Sequence, residues 1–185
     1  MNGCRRSVTM WLAVLASALA GGPVLAFDQA RSVTGVQMQG PAANVFASSI
    51  PAPAERAKLL AEHFIEVRDV AAFPASCKSG FAVLARTSGF ELANPGQPYQ
   101  ATDVMGRGPR LPWRRLLIGG VSADRCVVFY EIGGFAPYRS VVVLDISGKG
   151  LATPTWGGAD GKNPENLPAL ISQITKGAFT QPRGY

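Results

Sequence analysis

Between Trp113 and Ile146 three runs rich in valine, isoleucine and aromatic residues follow one another: Trp113 to Gly119, Cys126 to Ile132 and Tyr138 to Ile146. They are joined by Ser122-Ala123-Asp124 and Gly133-Gly134-Phe135-Ala136-Pro137. Connections this short cannot hold the crossover that parallel neighbours need, so the runs predict an antiparallel meander. In the last run Tyr138, Val142, Leu144 and Ile146 share one side, while Arg139 and Asp145 fall on the other. That alternation predicts a sheet with one covered face.

Two amphipathic segments are available to cover it. Pro53 presets the backbone for a first helical turn, and the good helix formers after it predict a helix from Pro53 to about Asp69. Its apolar side would carry Leu60, Phe64 and Val67, extended by Ala57 and Ala61. A second helix is expected from Leu167 to about Lys176, with Leu167, Leu170, Ile171 and Ile174 as its stripe and Gly177 as its end. Between the first helix and the meander, Cys77-Lys78-Ser79-Gly80 reads as a turn, Phe81 to Thr87 as a strand and Phe90 to Leu92 as its partner. Leu151 to Trp156 is a further strand. The expected architecture over residues 54–185 is one α+β domain: an antiparallel sheet of four to five strands, with an N-terminal and a C-terminal helix packed on one face.

The N-terminus is read differently. Arg5 and Arg6 precede an uncharged apolar run from Val8 to Ala20 that Gly21-Gly22-Pro23 terminates. This is the pattern of an export signal, too short to span a bilayer, with cleavage expected after Ala26. Removal of residues 1–26 takes away Arg5 and Arg6 and no carboxylate, reducing the formal net charge from +6 to +4. Residues 27–53 are small, polar and broken by glycine and proline, a loosely ordered leader. The chain is thus expected in the periplasm or outside the cell, without a membrane anchor after cleavage. Its modest positive charge favours anionic neighbours and falls short of the density of a nucleic-acid binder.

Loss of Cys4 with the signal leaves Cys77 and Cys126, and an even count in an oxidising compartment predicts a bridge. It would close a loop of about 50 residues, and chain entropy gives it at most ~4 kcal/mol.

Chemistry-bearing residues are sparse. His63 is the single histidine; no serine elbow or spare thiol accompanies it, and no clustered ligands make it a zinc site. The best carboxylate pair for acid-base work, Glu131 and Asp145, lies on neighbouring strands but not directly opposite. The loop from Gly157 to Glu165 has neither the Walker spacing nor the alternating oxygen ligands of a calcium loop, so it reads as a surface turn. No cofactor is implied.

The most distinctive run is Arg107-Gly108-Pro109-Arg110-Leu111-Pro112-Trp113-Arg114-Arg115. Arg107, Arg110, Trp113, Arg114 and Arg115 offer guanidinium and aromatic surface for a phosphate, carboxylate or glycan. On a strand Arg114 and Arg115 must point to opposite faces, so only part of the cluster can meet one ligand. A solvated edge that discourages sheet-to-sheet pairing is the alternative. The expected function is therefore a non-enzymatic exported protein binding an anionic envelope component or a protein partner. Two other readings stand beside it: an envelope hydrolase or transferase using His63 with a carboxylate, and an assembly protein that buries its apolar strands in a homodimer.

Overall fold

The strands of the expected meander are present, and each is buried further than alternation requires. A computed structural model of the chain describes residues 48–104, 108–148 and 152–180. The expected export signal, its expected cleavage point after Ala26, most of the expected leader and Arg107 lie outside the described residues. The elements run in the order α1 (Pro53–Ala61), β1 (Ile65–Val67), a 3-10 turn (Val70–Ala72), α2 (Ala75–Ala85), β2 (Arg114–Val121), β3 (Arg125–Ile132), β4 (Tyr138–Asp145), β5 (Thr153–Ala159) and α3 (Leu167–Thr175). The five strands form one antiparallel sheet in sequence order, β1-β2-β3-β4-β5. The fold is α+β.

The sheet is covered on both faces. Cys126, Val127, Val128, Phe129 and Tyr130 are all fully buried, as are Val141 to Leu144. Alternate residues of these strands go to different cores. Ile118, Val127, Phe129, Val141 and Val143 pack with Leu59 of α1 and the α3 stripe Leu167, Leu170, Ile171 and Ile174. Leu116, Cys126, Val128, Tyr130, Val142 and Leu144 pack with Phe73, Cys77, Phe81 and Ala85. The N- and C-terminal helices therefore share one face, as expected, while α2 occupies the face expected to be solvated. Runs that are apolar at every position mark strands buried on both sides. The same burial removes the surface that a homodimer through the β3 and β4 runs requires.

Gly157 to Ala159, expected to open a surface turn, are instead the buried end of β5, and three further expectations are corrected. Residues 77–85 are not a turn and a strand but the body of α2, which Arg86 ends, and Phe90 to Leu92 forms no strand; only Ala93 makes an isolated bridge to Arg115. Phe73, Cys77, Phe81 and Ala85 recur every fourth residue and are buried, a helical stripe hidden by Gly80. That glycine is a point of close approach and not a turn: a Cβ there would lie 2.6 Å from Cβ of Ala152. Second, the first helix stops at Ala61 and Glu62 turns extended. The β-branched Ile65 and Val67 instead complete the sheet edge, pairing with Val121 and Gly119. Third, Leu60 is 67% exposed and Leu59 1% exposed, so the α1 face turns by one residue.

The bridge forms between Cys77 of α2 and Cys126 of β3, with Cα atoms 6.2 Å apart. It ties the unexpected helix to a central strand. On the opposite face of the sheet the indole of Trp156 donates to the Ser48 carbonyl at 3.2 Å, which fastens the start of the described chain to β5.

Loss of the bridge removes a cross-link across a 49-residue separation. The double variant Cys77→Ala/Cys126→Ala should lose up to about 4 kcal/mol of unfolding free energy. Urea denaturation of the oxidised protein, the reduced protein and the variant should show the last two unfolding at similar, lower midpoints.

Candidate functional site

Because α1 and α3 lie on the same face without closing over it, a groove remains between them. Its volume is about 1070 Å3. Leu59, Leu167 and Ile171 make an apolar floor, each at most 9% exposed, and Leu60, Phe64 and Pro168 continue it towards the rim. Local sequence places each part. Asn166 caps α3 by accepting from the Ala169 N–H, which sets the rotation that turns Leu167 and Ile171 inward.

Charged residues on the lining are Arg56, Glu62, His63, Glu66 and Lys176. Both carboxylates are occupied. Glu66 accepts from the Leu167 N–H at 2.8 Å and from Arg68 at 2.7 Å. The hydrogen bond from the α3 N-terminus, with help from Arg68, holds its pKa below the ordinary glutamate value against a partial loss of solvent. Glu62 accepts from the Ser122 hydroxyl at 2.6 Å and is paired with Arg125. The basic side chains are not so held. Nε of Arg56 is buried and has no hydrogen-bond partner among the described residues, while His63 and Lys176 are exposed. The groove thus joins an apolar floor to a positive rim.

Arg125 belongs to the scaffold beneath this groove. It is 3% exposed, with Glu55 at 3.2 Å, Asp145 at 3.7 Å, and Glu62. Burial opposes its charge, but Glu55 and Glu62 outweigh burial and its pKa is raised. Asp145 is held low, first by the Ser147 hydroxyl and then by the Ser147 N–H and Arg125, with burial acting the other way. Glu55 also accepts from the Thr155 hydroxyl at 2.7 Å. This network clamps both ends of α1 onto β3, β4 and β5.

The residues singled out from the sequence do not converge. Arg115 is across from Glu131 in the β2–β3 register and pairs with it, its guanidinium 4.4 Å from the centre of the Tyr99 ring. Arg114 points to the opposite face, where its charge acts on Tyr130, a phenol pushed up to about 12 chiefly by burial. Arg110 is exposed, and Trp113 is half-buried. Glu131 and Asp145 are separated: Glu131 faces Arg139 in the register and Asp145 faces Arg125, at opposite ends of β3. His63 lies just beyond α1, at the groove, with neighbouring carboxylates already engaged. Among the described residues no three histidine, cysteine, aspartate or glutamate side chains gather as a metal site, and no helix is long and apolar enough to cross a membrane.

The groove residues were missed because each helix stripe was read only as a contact with the sheet. The signal available was the pairing of two stripes on one face, beside Arg56 and Lys176. No family model, curated protein or solved structure is detectably similar to this chain.

Two outcomes follow from these electrostatics. Replacement of Arg125 by alanine leaves Glu55 and Glu62 without their partner and should cost about 3–5 kcal/mol in urea unfolding. For pH, the folded-state values of Glu66 and Asp145 lie below the unbound 4.5 and 3.8. On acidification the unfolded chain therefore binds protons first. The associated stability is complete above those unbound values and is lost as pH falls through the folded ones. Denaturation midpoints measured from neutral pH downward should decline in that window, and Glu66→Gln should flatten the decline.

Proposed function

We propose that the chain is exported through residues 1–26, is cleaved after Ala26, and serves in the periplasm or outside the cell as a non-enzymatic binding protein. Its ligand is an anionic, partly apolar component of the cell envelope, held in the groove between α1 and α3. The disulfide favours an oxidising compartment. The observation that carries the ligand class is an apolar floor beside an arginine whose buried Nε has no partner. A buried donor left unpaired costs free energy that an incoming anion recovers.

In this reading an alkyl or acyl body lies on Leu59, Leu167 and Ile171, while a carboxylate or phosphate meets Arg56, with Lys176 and His63 nearby. Glu62 and Glu66 do not repel it, because Arg125, Arg68 and the α3 N-terminus already answer their charge. Burial of apolar area supplies affinity, and the cations supply discrimination.

Thermal-shift measurements with dodecyl phosphate and laurate, against dodecanol and dodecyltrimethylammonium, test this. The two anions should stabilise the protein by about 2.7 kcal/mol at a hundred times their Kd. Arg56→Gln should weaken them about tenfold, the scale of one charge-assisted hydrogen bond, and leave dodecanol unaffected. Equal binding of dodecanol and dodecyl phosphate would remove the cations from the site. No shift with any amphiphile would end the reading.

A further inference from the structure

At the end of the sheet where β2 begins and β3 passes into β4, two large apolar side chains stand in solvent. Phe135, at the tip of the β3–β4 hairpin, is 93% exposed, and Val104 is 73% exposed. They belong to one assembly. The Gly134 N–H donates to the Ala101 carbonyl at 3.1 Å and the Gly133 N–H to Trp113 at 2.9 Å. The Gln100 amide donates to the carbonyls of Thr102 and Val104. A Cβ on Gly133 would fall 1.7 Å from the Gln100 carbonyl oxygen, so only glycine lets the hairpin and the 99–104 segment close on each other. Phe135 is therefore presented on a braced tip.

Arginines stand at the same end of the sheet, Arg114 opposite Ile132 in the β2–β3 register. Arg110 and Arg86 line one cleft of about 470 Å3 together with Thr87, Ser88 and Glu91. Arg86 ends α2 in the left-handed region, at φ 54°, a place where glycine is the unstrained residue. Nε of Arg114 is buried and has no hydrogen-bond partner among the described residues. On the acidic side Glu131 is paired with Arg115, while Glu91, which accepts from the Ser88 hydroxyl, and Asp103 are exposed. Trp113, half-buried against the hairpin, adds an amphipathic ring of the kind that favours a membrane interface.

From this juxtaposition we infer that this end of the sheet docks onto the surface of an anionic lipid bilayer. Phe135 and Val104 enter the headgroup layer, and the exposed Arg86 and Arg110 meet lipid phosphates. An apolar tip alone would suit many partners; the arginines at the same end of the sheet select an anionic one. The inference is independent of the groove, which uses none of these residues.

Sedimentation with vesicles of phosphatidylglycerol in phosphatidylcholine, against phosphatidylcholine alone, is the test, using protein in the form the producing cell leaves it. Variants and parent share that form, so any contribution of residues 1–47 cancels. Binding should require phosphatidylglycerol and weaken as salt is raised. Phe135→Ser should reduce it about tenfold or more, as expected for one buried aromatic. Arg86→Gly/Arg110→Ser should reduce it by about 25-fold, at roughly fivefold per arginine, and Arg86→Gly should unfold no more easily than the parent. Three results would overturn the inference: no binding to either vesicle, equal binding to both, or unchanged binding by both variants. A dimer by light scattering that Phe135→Ser converts to a monomer would also overturn it, by making a second copy the occupant.

Discussion

Burial of β3 and β4 on both faces is the constraint from which the rest of the domain follows. Cys126 to Tyr130 and Val141 to Leu144 expose no side chain to solvent, so neither face of the sheet can be left open. Each apolar side chain removed from water contributes about 1.5–3 kcal/mol, and the contribution requires a cover on both sides. Helices α1 and α3 provide one and α2 the other. The disulfide joins the first turn of α2 to the start of β3, and Phe81 and Ala85 pack the rest of the helix on the same face.

The cover on the first face is less continuous, and that is where the groove arises. Helices α1 and α3, nine residues each, leave the groove between them. The Arg125 network fixes α1 from below, while Glu66 and Asn166 fix the start of α3. Rigid supports on either side keep the gap open, and they consume the local carboxylates in doing so. A positive rim is the electrostatic remainder of that arrangement: acids are spent on structure, and Arg56 and Lys176 are not.

The arginine-rich run before β2 is divided by strand geometry. Arg115 is drawn to Glu131 and Tyr99 on one face, and Arg114 is turned to the other. Its charge is therefore spread around one end of the sheet instead of being focused in a pocket, an arrangement suited to an extended anionic surface more than to a single small anion. Phe135 stands out from the same end.

Much was legible in order along the chain. Hairpin-length connections between β-rich runs determine an antiparallel meander, because no crossover fits within three or five residues. The i, i+3, i+4 and i+7 spacing determines α3, and Cys77 and Cys126, the two cysteines beyond the N-terminal apolar run, were legible as the bridged pair. Local pattern was insufficient where a residue's role depends on a distant neighbour. Gly80 has the composition of a turn, yet it serves a close approach to Ala152, which lies far along the chain. Ile65 and Val67 have helical neighbours, yet an unpaired β2 edge claims them, since hydrogen bonds to Val121 and Gly119 outweigh a weak helix propensity. The groove required knowing that two helices remote in sequence lie side by side on one face. Sequence by itself determined which segments could bury a face; only the tertiary structure decided which faces met, because burial is a property of pairs of surfaces and not of either one alone.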